Sequence, residues 1–480
     1  MLSQVDISGG QVSGIDSLSS AASSIINWEV DEAGINRMRA GLLSYTQTGL
    51  ASSPVIGAQV WGDYLILVTD NRYIWAINKG APTLVQALST TTTSTQLEGT
   101  KRPTFALGTD YIYIAGGGQI QRWGPSLVTA AILTNSPRCT HIVAIGQRLV
   151  VNDLDTAATR QQFRWSASGE GSWTTWSASN VSDADARPDP VVAIYENINE
   201  LLIFGDSTLQ VYQVGADPTL PFDQVSTINL GISAPYCAAR LDEQFVVLDD
   251  KRRLVRCDGR TYEDFSDAIH NDLRNLSTIS DGWAYREERD QQSLLVFRFP
   301  TDERTFVYDL KGKRWSERKY YNAPVQDDWR VGAYAYWPAF NYHMVGLSSS
   351  SGGLARLDKD TRQDLAGPLV CERITGWHDY GTTNSKRSGR VRLVMRRGTA
   401  SQGSTPGLVE IRVQDDESPW SPWEQISVGS PDDYSQVIEL FLGGVFRRRR
   451  YGIRYSNTDS TSIVGMWDEV DDIEAQEEAA

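Results

Sequence analysis

A turn, a run of apolar residues, a second turn and a further strand recur seven times along the chain, and this repeat restricts the fold more than any other feature. The copies read WGDYLILVTDNRYIWAI (61–77), GTDYIYIAGGGQIQRW (108–123), IGQRLVVND (145–153), NELLIFGDSTLQVYQV (199–214), DEQFVVLDDKRRLVRC (242–257), DQQSLLVFRF (290–299) and FNYHMVGLSSSSGGLARL (340–357). Counted between the apolar quartets starting at Tyr64, Tyr111, Leu149, Leu201, Phe245, Leu294 and Tyr342, the spacing runs from 38 to 52 residues. One four-stranded blade of a β-propeller repeats every ~40–50 residues. A single blade cannot bury both faces of its sheet, so several must stack radially, with small and aromatic residues filling the gaps. The expected fold is all-β, with a β-propeller of six or seven blades over residues 56–360. A long β meander or a pair of sandwiches also repeats turn and strand, and the uneven spacing leaves that alternative open.

The residue types agree with short strands and tight turns, since 15 Trp and 20 Tyr accompany 40 Gly. Beyond residue 360 the pattern changes to longer strands with alternating basic residues, GRVRLVMRR (389–397), LVEIRVQDD (408–416) and VIELFLGGVFRRRRYGIRY (437–455), separated by polar loops such as TASQGSTPG (399–407). The pair Gly443-Gly444 reads as the turn of a hairpin between two of these strands. Residues 361–467 are expected to form a C-terminal β-sandwich-like platform domain, and residues 1–55 a segment packing on platform or propeller. Residues 468–480 read as an acidic, disordered tail.

Several classes of function have no support. The N-terminus, MLSQVDISGGQVSG, lacks a basic region followed by an apolar core, and no run approaches the ~20 apolar residues that span a bilayer. The chain is therefore expected to be made and kept in a cytoplasm, with no membrane segment. Cys139, Cys237, Cys257 and Cys371 are far apart, without CxxC spacing, and are expected to be buried thiols. The four histidines, His141, His270, His343 and His378, form no HxH or HExxH motif. No GxSxG elbow, Walker loop or dinucleotide fingerprint occurs, and the glycines at 116–118 lack a following helix and lysine. Adjacent carboxylates such as Asp249-Asp250 and Asp415-Asp416 read as solvated loop tips. No catalytic residue, cofactor or metal site is expected. A net charge of −15 argues against a chain that grips nucleic acid by neutralising phosphates.

Two local features stand out. FRWSASGEGSWTTW (163–176) resembles the Asp-box turn S-x-D-x-G-x-T-W of sialidase-like propellers at Ser166, Trp173 and their spacing, but Ser168 replaces the aspartate and Glu170 the glycine. Such a turn is structural even in enzymes. The second feature is the run Arg447 to Arg450. On a strand, Tyr451, Ile453 and Tyr455 would face the core while Arg448, Arg450 and Arg454 face outward, and Arg390, Arg392 and Arg396 do the same opposite Val391, Leu393 and Met395. These six arginines are paired within the domain, for instance with Asp415, Asp416 and Glu417, or form a charged subunit interface, or, as a third reading, contact phosphate.

A succession of segments resembles the tail hub or nozzle proteins of short-tailed bacteriophages, the packaged-DNA stabilisation proteins. INWEVDEAGINRMRAGLLSY resembles the family's opening, an asparagine, a glycine and then Arg-Pro-Gly, here Asn27, Gly34 and Arg39-Ala40-Gly41. FRWS (163–166), PDPVVAIYENINELLIFGDSTLQVYQVG (188–215), PFDQVSTINLGISAPY (221–236) and FVYDLKGKRWSER (306–318) follow in the family's order. The resemblance implies a structural, non-enzymatic virion protein of the tail, assembled in the bacterial cytoplasm. It implies a homohexameric ring below the portal and its adaptor, with a tail needle, plug or fibre beneath, which retains packaged DNA, touches it transiently and conducts it during ejection. A propeller carbohydrate-binding protein or glycosidase is the alternative.

Overall fold

The computed structural model describes residues 2–13, 22–50, 52–89, 95–156, 159–184, 189–289, 292–397, 408–428, 435–456 and 461–473. The apolar quartets become the second strands of antiparallel four-stranded blades. Six blades are contiguous in the chain, at 55–87, 104–132, 142–183, 191–228, 238–264 and 283–317. A seventh is composite: Val331–Trp337, Tyr342–Leu347 and Leu354–Asp358 take Gly41–Ser44 as their fourth strand, with Leu42 opposite Leu357 and Ser44 opposite Ala355. The fold expected from the repeat is the fold observed.

Each quartet is apolar throughout because its strand is covered on both faces by neighbouring blades. Leu65 to Val68, Ile112 to Ala115 and Leu201 to Phe204 are all within 1% of complete burial. Between the first two blades lie Ile66, Val68, Ile112, Ile114 and Trp123; the ring closes where Val55, Leu65 and Leu67 meet Ala333, Met344 and Trp337 of the composite blade. First strands of successive blades face one another, as Thr104–Leu107 faces Ile142–Ile145, so they are innermost.

The platform is a sandwich. One sheet runs Trp28–Val30, Asn36–Met38, Thr461–Asp472, Lys386–Arg397 and Ser435–Leu440, with Leu2–Val5 also on Thr461–Asp472 and Val445–Phe446 also on Lys386–Arg397. The facing sheet runs Ala22–Ile26, Val370–Thr375, Arg449–Ser456, Leu408–Asp415 and Glu424–Ser427. Val391, Leu393, Met395, Val409, Ile411, Tyr451, Ile453 and Met466 fill the space between. The second sheet continues without a break into the sixth blade, because Ile26 pairs in parallel with Glu317 while the same strand pairs with Val370–Thr375 on its other side.

Two expectations are corrected. Gly443-Gly444 does not close a hairpin: Ser435–Leu440 lies in one sheet of the sandwich and Arg449–Ser456 in the other. The glycines, at φ +49 and +97, instead kink one edge: Ser435–Leu440 before them and Val445–Phe446 after them both pair with Lys386–Arg397, and the chain crosses to the other sheet only between Phe446 and Arg449. Disorder from residue 468 onward also fails at its start, since Thr461–Asp472 is a central strand and Asp468 is fully buried. The remainder of the expected tail, residues 474–480, and the loop 399–407 lie outside the described residues. Among the described residues no helix is long and apolar enough to cross a membrane.

Candidate functional site

The stretch 163–176 is a clasp between blades. Gln162–Trp165 is the third strand of the third blade, and Phe163 and Trp165 are buried in its interface with the fourth. The chain then turns through the short 3-10 segment Glu170–Ser172. The Glu170 carboxylate accepts the backbone N–H groups of Thr109, Asp110 and Tyr111, at 2.7, 2.8 and 3.2 Å, from a turn of the second blade. Trp173 packs edge-on against Tyr113 and donates its Nε1–H to the Gln147 carbonyl at 2.7 Å. Glu170, one of the two residues that depart from the Asp-box pattern, thus holds two blades together.

Near the propeller axis the side chains are aromatic and basic. His141 stacks on Tyr236 at 5.1 Å, and Tyr195 and His141 Nε2 both reach the Pro235 carbonyl. Burial holds the His141 imidazole down at about 4, so it is neutral at pH 7. The Arg102 guanidinium lies 3.9 Å over the Trp283 ring and donates to the Gly332 carbonyl at 2.6 Å. Its burial, with Arg298 nearby, pushes it down to about 9. A depression of about 510 Å³ opens between the first three blades, lined by Arg72, Gln96, Glu98, Gln119, Arg138 and Asp155. Its carboxylates are engaged locally: Glu98 accepts the Gln119 N–H at 2.9 Å and Asp155 the Arg138 N–H at 3.1 Å. Among the described residues no group of three His, Cys, Asp or Glu side chains could hold a metal ion.

The most concentrated chemistry lies at the seam between propeller and platform. Asn27, at φ +60, accepts from Arg39 Nε at 2.8 Å and from the Lys319 N–H at 3.0 Å, and donates to the Val370 carbonyl at 2.7 Å. Arg39 also pairs with Asp364 and stacks on Trp329 at 4.3 Å. Beside it Glu29 of the platform faces Arg289 and Arg318 of the propeller, both of which also pair with Glu287. Burial alone would raise the Glu287 carboxyl, but Arg289 and Arg318 outweigh it and hold the group at about 2. The motif residues Asn27 and Arg39 are therefore structural ties, and only the fold reveals Glu29, Glu287, Arg289 and Arg318 as one cluster.

The six arginines separate into two places. Arg390 pairs with Glu469 at 2.6 Å, Arg392 with Glu439 at 2.7 Å, and Arg396 is exposed on the same face of Lys386–Arg397. Arg448, Arg450 and Arg454 lie on the other sheet, in an alternating stack of Arg448, Trp377, Arg450, Trp420, Arg412, Trp423 and Arg454, with guanidinium-to-ring distances of 4.2 to 5.2 Å. Glu417 pairs with Arg448 and Glu410 with Arg454. The SPWSPW spacing of Trp420 and Trp423 was the available sequence signal for this stack.

A family model described as "Bacteriophage P22 Gp10, beta-propeller", of the phage-stabilisation family, matches residues 83–361. No curated protein matches. Among solved structures, the computationally designed Ika8 protein superposes at a TM-score of 0.38 and 11% identity, over 66% of this chain and 100% of its own.

Proposed function

The chain belongs to the phage-stabilisation family of β-propeller proteins, and from that membership we propose that it is the tail nozzle, or hub, of a short-tailed phage. Copies form a homohexameric ring below the portal and its adaptor, above a tail needle, plug or fibre, and the ring retains the packaged genome and conducts it during ejection. The protein is assembled into the tail in the bacterial cytoplasm and catalyses nothing. The observation that carries this reading is the seam: one sheet passes from the sixth blade into the platform, and a buried ion cluster locks the same junction. A propeller and platform joined in this way move as one body, which suits a load-bearing ring better than a hinged enzyme. The net charge of −15 supports a conduit along which DNA slides without being gripped. The platform supplies the contacts between copies, with Arg390, Arg392, Arg396, Arg448, Arg450 and Arg454 along its two outer faces.

Gold-antibody labelling of this protein in micrographs of lysate from producing cells tests the reading. Label at one vertex of the capsids, on the tail, is expected. Label confined to free protein, with capsids bare, overturns it. Carbohydrate binding is a second reading, favoured by the depression that brings Arg72, Arg138, Glu98 and Asp155 together. Retention of the chain on a host-surface glycan array, abolished by Arg138→Ala, would support it.

A further inference from the structure

The sandwich sheet that holds Lys386–Arg397 ends in an open edge. Ser435–Leu440 and Val445–Phe446 run along the same side of Lys386–Arg397, with Leu440 opposite Val391 and Val445 opposite Arg387. Among the described residues no strand pairs with their other side. An uncovered edge presents a row of backbone donors and acceptors, which proteins ordinarily protect with charge, proline or a covering segment. Here three outward positions carry large apolar side chains, Val437, Phe441 and Val445 at 58%, 75% and 60% exposure, with Glu439 the one charge among them, while Ile438, Leu440 and Phe446 are buried. The glycines at 443 and 444 let Phe441 and Val445 stand out on either side of the bend.

The surroundings select the partner. Arg387, Arg396 and Arg447 are exposed along the edge, while Arg390 and Arg392 are answered by Glu439 and Glu469. Apolar side chains and paired carboxylates do not suit a phosphate backbone; they suit a protein. The chain carries a net charge of −15, yet here Arg387, Arg396 and Arg447 stand exposed, while Lys386 and Arg449 of the same basic segments are buried and Arg448 pairs with Glu417. Copies of so acidic a protein repel each other over most of their surface, and approach is favourable where this basic edge meets acidic surface. We propose that the open edge 437–447 docks against the acidic surface of a second copy of this chain, with Phe441 and Val445 as its buried anchors. The inference rests on the ring reading and gives that ring its contact. A patch that meets a different patch on its neighbour generates a ring rather than a closed dimer.

The test is photo-crosslinking of the full chain in producing cells, with Phe441→p-benzoylphenylalanine and, as a control on the propeller, Val128→p-benzoylphenylalanine, a site 84% exposed. The expected result is a product of two copies of this chain from position 441 and none from 128, with the captured peptide rich in Asp and Glu. Capture of a different protein, or no capture although the chain is present in particles, overturns the proposal. A two-copy product in a lysate whose particles lack the chain overturns the virion reading and keeps the contact. Phe441→Glu provides the second measure, at least tenfold fewer copies per particle with an unchanged melting temperature; unchanged copy number overturns the anchor role.

Discussion

Arg39 and Asp364 meet at the point where the N-terminal strand closes the propeller, both almost completely buried, with Arg39 Nη1 donating to Asp364 Oδ1 at 3.0 Å. Asp364 stands beside Leu42 and also accepts its N–H at 3.3 Å, so one carboxylate holds both the arginine and the closing strand. Removing one member of a buried pair strands the other charge, at a cost of ~3–5 kcal/mol. Asp364→Ala is expected to lower the unfolding free energy by about that much. It should also accelerate amide exchange at 41–44 before exchange rises in the contiguous blades. Equal exchange throughout the propeller would show that the seam does not depend on this pair.

Glu287 gives the fold a defined response to acid. Its folded carboxyl is held at about 2, below the ordinary glutamate value, because Arg289 and Arg318 outweigh the effect of burial. A carboxyl with a lowered folded pKa stabilises fully above its unfolded value, and that stability is lost as pH falls through the folded one. The window therefore runs from roughly 4.5 down to roughly 2, and the contribution is on the order of 3 kcal/mol. Urea unfolding across this range should show a steep loss of stability. Glu287→Gln should flatten the slope while lowering stability at pH 7; an unchanged slope would place the acid response elsewhere.

Glu170 is exposed enough for its clasp to be modest in energy, yet it accepts three backbone N–H groups of a neighbouring blade. Bonds to a charged acceptor are the stronger kind, and solvent reduces them here, so Glu170→Ala should cost about 1 kcal/mol. The specific readout is faster amide exchange at Thr109, Asp110 and Tyr111. Glu170→Gln keeps one acceptor oxygen and should fall between the two.

The repeat was legible because each blade's second strand is covered on both faces and so must be apolar along its length, as in Leu65 to Val68 and Leu201 to Phe204. The Arg-Gly motif at 39–41 was visible as a family trait, but its partner Asp364 lies over 300 residues away, and pairing at that distance leaves no local trace. Gly443-Gly444 reads as a hairpin turn for a related reason. Two adjacent strands with inward apolar residues look alike whether they share a sheet or face each other across a sandwich, because period two records burial and not partner. The opposite faces of the arginine strands could be read from the same alternation. Their tryptophan partners could not, since Trp377 lies some seventy residues from Arg448 in sequence and 4.7 Å from it in space.

The arginine and tryptophan stack makes a prediction that separates cation–π stacking from ion pairing. Trp420 lies between Arg450, at 5.2 Å, and Arg412, at 4.5 Å, and Arg412 pairs with Glu372 at 3.4 Å. Half-exposed ion pairs contribute ~0–1 kcal/mol each, and exposed cation–π contacts ~0.5–1 kcal/mol. Trp420→Ala removes two stacking contacts and leaves every carboxylate in place, so a loss of about 1–2 kcal/mol is expected. Glu417→Gln removes the exposed ion pair with Arg448 and leaves the stack, and should cost at most about 1 kcal/mol. Both are measured by urea unfolding, with high salt as the discriminating condition. Salt screens the exposed Arg448–Glu417 pair, so the Glu417→Gln cost should shrink in 1 M NaCl, where the screening length is about 3 Å, while the Trp420→Ala cost persists. If the Trp420→Ala cost also disappears in salt, the tryptophans serve as spacers and the carboxylates hold the face together.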